Sequence, residues 1–160
     1  MNRANVQIVN GKIRFASELH EQMFLKKNDR KYAFVVIDDA ATGEKRRFFE
    51  GALIPAIFYQ LPHSGWENFK EAREAIKLEF LPGWTKTTDG ERVKYARSTA
   101  GLSNAQFGDL IETIIRWMEQ QGMEVPDPEA YLAWKDSAPP PGEIYPQLLR
   151  WKEQYDEARV

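Results

Sequence analysis

From Phe107 to Met118 the chain keeps a helical rhythm. Phe107, Leu110, Ile111, Ile114, Ile115 and Met118 return every three or four positions, while Asp109, Glu112, Arg116 and Glu119 fall mostly on the other side. Ser103 and Gln106 are spaced as a capping box, in which the hydroxyl accepts from the third helical amide and the Gln side chain returns to the Ser amide. The helix therefore begins there, and Gly122 supplies the left-handed residue that ends it. The same spacing runs through Phe48, Phe49, Ala52, Leu53, Ala56 and Ile57, which predicts a buried helix from Lys45 to Gln60. Pro55 lies inside it, lacks an amide proton and costs about 3 kcal/mol in a helix interior, so a kink or a break into two pieces is expected. Asn68 with Glu71 caps a further helix with Phe69, Ala72, Ile76 and Phe80 as its inner stripe, stopped by Pro82-Gly83. Ser17 caps a short helix carrying Leu19, Met23 and Phe24, and Pro128 starts another. The last helix runs from about Pro146 to Arg159, with Leu148, Leu149, Trp151 and Tyr155 as its apolar residues.

Period-two segments complete the pattern. Val6–Val9 and Lys12–Phe15 flank Asn10-Gly11, a dipeptide that tolerates the positive φ angles of a type I′ turn, so they form a hairpin. Trp84–Lys86 and Arg92–Arg97 flank Thr87-Thr88-Asp89-Gly90 and form a second hairpin. Tyr32–Ile37 has the composition of a buried strand, closed by a turn over Ala40–Gly43. The expected fold is α+β: a small antiparallel sheet built from hairpins, packed with four to five helices. Residues 1–138 make a single domain, and 139–142 belong to a stiff, extended proline-rich linker. Residues 143–160 carry a terminal helix that docks on its own domain or on a second subunit.

A chain of 160 residues suffices for one core and is short for two. No apolar run approaches the roughly 20 residues needed to cross a bilayer, so no membrane partner is expected. The N-terminus lacks the apolar core of a signal peptide, which points to the cytoplasm. With no cysteine there is no disulfide framework and no thiolate ligand or nucleophile. The net charge of −2 conceals an asymmetry, with 17 Lys+Arg against 13 Asp+Glu in residues 1–100 and 5 against 11 in residues 101–160. Such a split lets one face attract phosphate while an acidic region meets solvent or a protein.

Catalytic chemistry finds few candidates. His20 and His63 stand in no metal-ligand spacing, and there is neither a GxxxxGK[ST] loop nor a GxGxxG turn, so no cofactor is expected. Asp38-Asp39 follows a hydrophobic strand, the placement that Mg²⁺-dependent nucleases use for carboxylates, although a strand-end Asp pair ahead of Thr-Gly is ordinary turn chemistry. The basic residues offer more. Lys26, Lys27, Arg30 and Lys31 form one cluster, Lys45, Arg46 and Arg47 a second, and Lys86, Arg92, Lys94 and Arg97 lie on the second hairpin. Alternation puts Arg92 and Lys94 on one face. Single-stranded nucleic acid is bound by basic grooves carrying aromatic platforms, for which Trp66, Trp84 and Tyr95 are the candidates. The structural alternative makes Trp84 and Tyr95 cross-strand partners and Trp66 a lid on the core.

The stretch ARSTAGLSNAQFGDLIETIIRWMEQQGMEV resembles the late part of phage NinB/Orf recombination proteins, in which a Ser/Thr-rich strand end precedes a short spacer, a helix with a central Phe and a Gly-Val exit. Ser98, Thr99, Phe107, Ile111, Glu112, Gly122 and Val125 occupy the matching positions, and a looser similarity in element order covers residues 30–135. The family's Arg-Ser-x-x-Gln-Asn-Arg stretch is replaced by Thr42-Gly43-Glu44-Lys45-Arg46-Arg47, which loses the Gln-Asn pair and keeps the basic character. The resemblance implies a non-enzymatic recombination or replication mediator that binds single-stranded DNA as a homodimer and assists a recombinase against a single-strand-binding protein. Its phosphate contacts would be Arg46, Arg47, Arg92, Lys94 and Arg97, with Trp84 and Tyr95 beside them. The alternatives are an adaptor that binds a protein through the acidic C-terminal region, and a Mg²⁺-dependent nuclease using Asp38 and Asp39.

Overall fold

Strands β1 (Val6–Val9) and β2 (Lys12–Phe15) pair antiparallel with Val9 opposite Lys12, the register that leaves Asn10-Gly11 as a two-residue connection. The structure is a computed structural model that describes residues 6–9, 12–15, 22 and 41–160, and its contacts divide the chain into two units, Met1–Ile37 and Asp38–Val160. Apart from residue 22, the helix expected after Ser17 lies outside the described residues, as do the strand Tyr32–Ile37, Asp38 and Asp39, and the Lys26–Lys31 cluster.

The second unit is organised around one helical run. It comprises α1 (Ala41–Phe48), a π-helical stretch over Phe49–Leu53, and α2 (Ile54–Gln60). Residues 41–43, expected in a turn, are instead the first turn of α1. Phe48 and Phe49 are buried, and such packing overrides the weak turn preference of Thr-Gly. The irregularity expected at Pro55 takes the form of a π turn, and the chain stays helical from 41 to 60. The Ile54 amide bonds back to the Phe49 carbonyl, five residues earlier, and the widened turn comes just before a proline whose ring would strike the carbonyl four residues back in a regular helix. Ala52, Leu53, Ile54, Ala56 and Ile57 are almost wholly buried, as befits a helix covered on nearly every side.

The other helices wrap this centre. Asn68 caps α3 (Phe69–Phe80) by accepting from the Glu71 amide at 3.0 Å, and Ala72 and Ile76 face the core. Ser103 opens α4 (Asn104–Gln120) with both bonds of the capping box in place, Gln106 N to Ser103 Oγ at 3.2 Å and Ser103 N to Gln106 Oε1 at 2.9 Å. Its Phe107 meets Phe49 edge-on at 5.6 Å, and Gly122, at φ +74°, ends the run. Asp127 caps α5 (Pro128–Asp136), whose Tyr131 is buried between Phe48, Trp134 and Tyr145. That ring lies so close to Gly51 that a β-carbon there would stand 2.9 Å from Cζ and closer still to Oη.

The proline-rich connection turns where an extended linker was expected. Ala138 takes φ +52° and Gly142 φ +84°, and the Glu143 amide bonds to the Pro140 carbonyl at 3.1 Å. Glycine suits the second of these angles, and the reversal leads into α6 (Pro146–Ala158). This helix packs on α2, with Trp151 2% exposed and Tyr155 4.9 Å from Phe58 between ring centroids. Between α3 and α4 the chain makes β3 (Pro82–Lys86) and β4 (Arg92–Ala96), paired antiparallel around Gly90 at φ +83°. The architecture is α+β, as expected. Among the described residues each hairpin is a two-stranded sheet of its own.

Candidate nucleic-acid interface

Every residue from Trp84 to Tyr95 is exposed, so the β3–β4 hairpin is an arm held at its base. That base is well fixed. Leu81 is buried, and its carbonyl accepts from the Arg97 amide at 3.0 Å, closing the arm where it leaves and rejoins the helices. Tyr95 lies over Gly83, such that a β-carbon on the glycine would come within 2.8 Å of Cε1. An aromatic ring laid over a strand glycine replaces the packing that the missing side chain cannot supply.

The register decides what the arm presents. Trp84 faces Lys94 and Lys86 faces Arg92, so these four side chains share one face, while Gly83, Thr85, Val93 and Tyr95 share the other. Arg92 and Lys94 share a face as the alternation predicts. Trp84 and Tyr95 are not cross-strand partners. The Arg92 guanidinium stacks diagonally over the Trp84 ring, 4.4 Å from its centroid, a contact worth about 0.5–1 kcal/mol at an exposed site. Trp84 nevertheless remains 50% exposed. Lys86 directly opposite Arg92 is a like-charge pair, which opposes strand pairing. Lys94 is 3.9 Å from Glu79 of α3, and neither Lys86 nor Arg92 forms an ion pair among the described residues. Two of the three cations on this face thus stand beside a half-exposed indole without an acidic partner among the described residues.

The remaining candidates are dispersed. Arg97 is exposed at the base of β4, beyond the paired strand residues. Arg46, on α1, stands 5.8 Å from the Phe107 ring centroid, and Arg47 is paired with Asp136 of α5 at 3.2 Å. Lys45 donates to the Asn104 carbonyl at 3.1 Å. The structure therefore brings together Trp84, Arg92 and Lys94, places Tyr95 on the opposite face, and puts Arg46 and Arg47 on a different element. Lys86 belongs with the first group. Its signal was the two-residue step from Trp84, which extends the alternation applied to Arg92 and Lys94.

His63 is exposed in the loop between α2 and α3, and Ser64 accepts from the Trp66 amide at 3.3 Å. Among the described residues no group of three or more His, Asp or Glu side chains is placed to hold a metal ion. No described helix is long and apolar enough to cross a membrane.

No protein-family model and no curated protein matches the chain. A solved structure titled "Structural Genomics, NinB" aligns with 80% of this chain and 98% of its own, at 16% sequence identity and a TM-score of 0.42. That is a loose NinB-like resemblance of fold.

Proposed function

We propose that the protein binds single-stranded nucleic acid, without turnover, through the face of the β3–β4 arm that carries Trp84, Lys86, Arg92 and Lys94. The carrying observation is the register, which gathers three cations and an exposed indole on one side of a projecting hairpin. Single-strand binders combine the same two parts, cations that track phosphates and rings on which bases stack, each stack being worth about 1–3 kcal/mol. The like-charge pair Lys86 and Arg92 costs folding stability and becomes favourable once a phosphate lies between them. The order of residues from Ala96 to Val125, which resembles NinB/Orf recombination proteins, extends this reading to a recombination or replication mediator acting on single-stranded DNA as a homodimer.

The test compares the two faces of one hairpin. A Lys86→Ala/Arg92→Ala/Lys94→Ala variant should bind a labelled single strand markedly more weakly in fluorescence anisotropy at low salt, whereas Thr85→Ala/Val93→Thr, on the opposite face, should keep the wild-type affinity. Equal loss in both, or none in either, would refute the assignment. If the wild-type protein binds no strand at low salt, the adaptor reading takes precedence, and the exposed acidic residues of α6, Glu153, Asp156 and Glu157, become the place to look.

A further inference from the structure

Beside the arm lies an apolar groove of about 680 Å³, within the size range of small-molecule sites. Trp66, Phe80 and Trp117 supply its aromatic surface, Ile76 and Leu61 add aliphatic lining, and the exposed His63 and Glu79 form its polar margin. Phe80 and Trp117 pack against each other at 5.4 Å between centroids with planes inclined by 60°. Trp66 is only half buried, although it packs on the core as a lid would. Glu79 connects the groove to the arm, since it lines the former and stands 3.9 Å from Lys94 on the latter.

We propose that this groove accepts an unstacked base of the single strand whose phosphates lie along the cationic face of the arm. The inference rests on the function proposed above and adds a second, base-holding subsite to it. Three observations favour this occupant. Three large aromatic side chains, Trp66, Phe80 and Trp117, are among the lining residues, and any base can stack on a ring whatever its sequence. The margin offers a carboxylate and an imidazole, one able to accept from an exocyclic amine and the other able to donate or accept. The groove is continuous through Glu79 with Lys94, so a phosphate on the lysine would place its neighbouring base over the aromatic surface. A phosphate there would also compete with Glu79 for the ammonium group, leaving the carboxylate to the base.

The experiment uses the full chain and two strands of equal length, one with bases and one made of abasic sugar phosphates. The wild-type protein should bind the base-bearing strand roughly fivefold or more tightly than the abasic one. Trp66→Leu should reduce that ratio while leaving abasic binding unchanged, and Trp66→Phe should restore most of it. Independently of any variant, ultraviolet cross-linking of the wild-type protein to a strand carrying 5-iodouracil should give adducts at Trp66, Phe80 or Trp117. A ratio unaltered by Trp66→Leu, or adducts confined to residues 84–97, would overturn the groove and leave the arm standing. Failure to bind either strand would instead overturn the function on which the inference rests.

Discussion

Replacing Gly51 by alanine tests the tightest approach in the core. In the middle of a helical run alanine is ordinarily the better residue, by about 1 kcal/mol. Here the added methyl would lie 2.9 Å from Tyr131 Cζ and nearer still to its hydroxyl oxygen. The ring cannot swing aside freely, because Phe48, Tyr145 and Trp134 stand around it with centroids 6.3, 5.4 and 6.0 Å away. Relief must come from moving α5 away from the central helix, and because the approach to the hydroxyl is closer than real β-carbon contacts come, the overpacking strain falls in the upper part of the usual range, about 2–3 kcal/mol, which exceeds the gain in propensity. Combined with the propensity term, the expected net loss is about 1–2 kcal/mol, a fall in Tm of about 2–8 °C for a chain of this size. Tyr131→Phe removes the nearest atom, so Gly51→Ala should cost less in that background, with a coupling of at least about 0.5 kcal/mol in a double-mutant cycle. Thermal unfolding of the four proteins by circular dichroism measures it. A Gly51→Ala protein as stable as wild type, or costs that simply add, would refute the close approach of α5 to the π turn.

Three other outcomes follow from the same structure. Ser103→Ala removes the hydroxyl that accepts from the Gln106 amide and should lower stability by about 1 kcal/mol in denaturant unfolding, with Ser103→Asp largely restoring it. Trp151→Ala should cost about 3–5 kcal/mol, because the ring is 2% exposed between α6 and α2, and limited proteolysis should then cut first near Pro139–Gly142. Burial raises the hydroxyl pKa of Tyr131 against a smaller opposing effect of Arg47, and burial likewise raises that of Tyr59. The native state therefore holds these protons more tightly than the unfolded chain. Their contribution is complete below the unfolded tyrosine value of about 10 and is lost as pH rises through the raised native values, so unfolding midpoints should fall above pH ~10 and less steeply in Tyr131→Phe.

What could be read from the chain was whatever depends on near neighbours. The capping box at Ser103 and Gln106 and the Asn68 cap are contacts across three residues, and the stripe of α4 is a property of 3.6-residue periodicity. The turn at Gly90 and the face shared by Arg92 and Lys94 follow from local preference and strand alternation alone. Less legible was whatever depends on distant packing. The π turn ahead of Pro55 is one of several ways to house a proline, and the burial of the central helix selects among them. Residues 41–43 are helical because Phe48 and Phe49 are anchored, which turn propensity does not register. Tyr95 could be paired with Trp84 in thought, since only the register sets it over Gly83 instead. The pairing of Arg47 with Asp136 joins residues 89 positions apart, and the groove gathers Trp66, Phe80 and Trp117 from three segments, so neither has a local signature.

The measurement closest to the central claim is the salt dependence of single-strand binding, by anisotropy of a labelled strand of roughly 30 nucleotides without magnesium, because each phosphate neutralised contributes about 0.7 to the slope of log K against log salt. Wild-type protein should bind with affinity that falls as salt rises, and Lys86→Ala/Arg92→Ala/Lys94→Ala should bind more weakly with a slope reduced by about 2. An unchanged slope in that variant, or no binding by the wild type at low salt, would contradict the assignment of the arm as the phosphate-binding face.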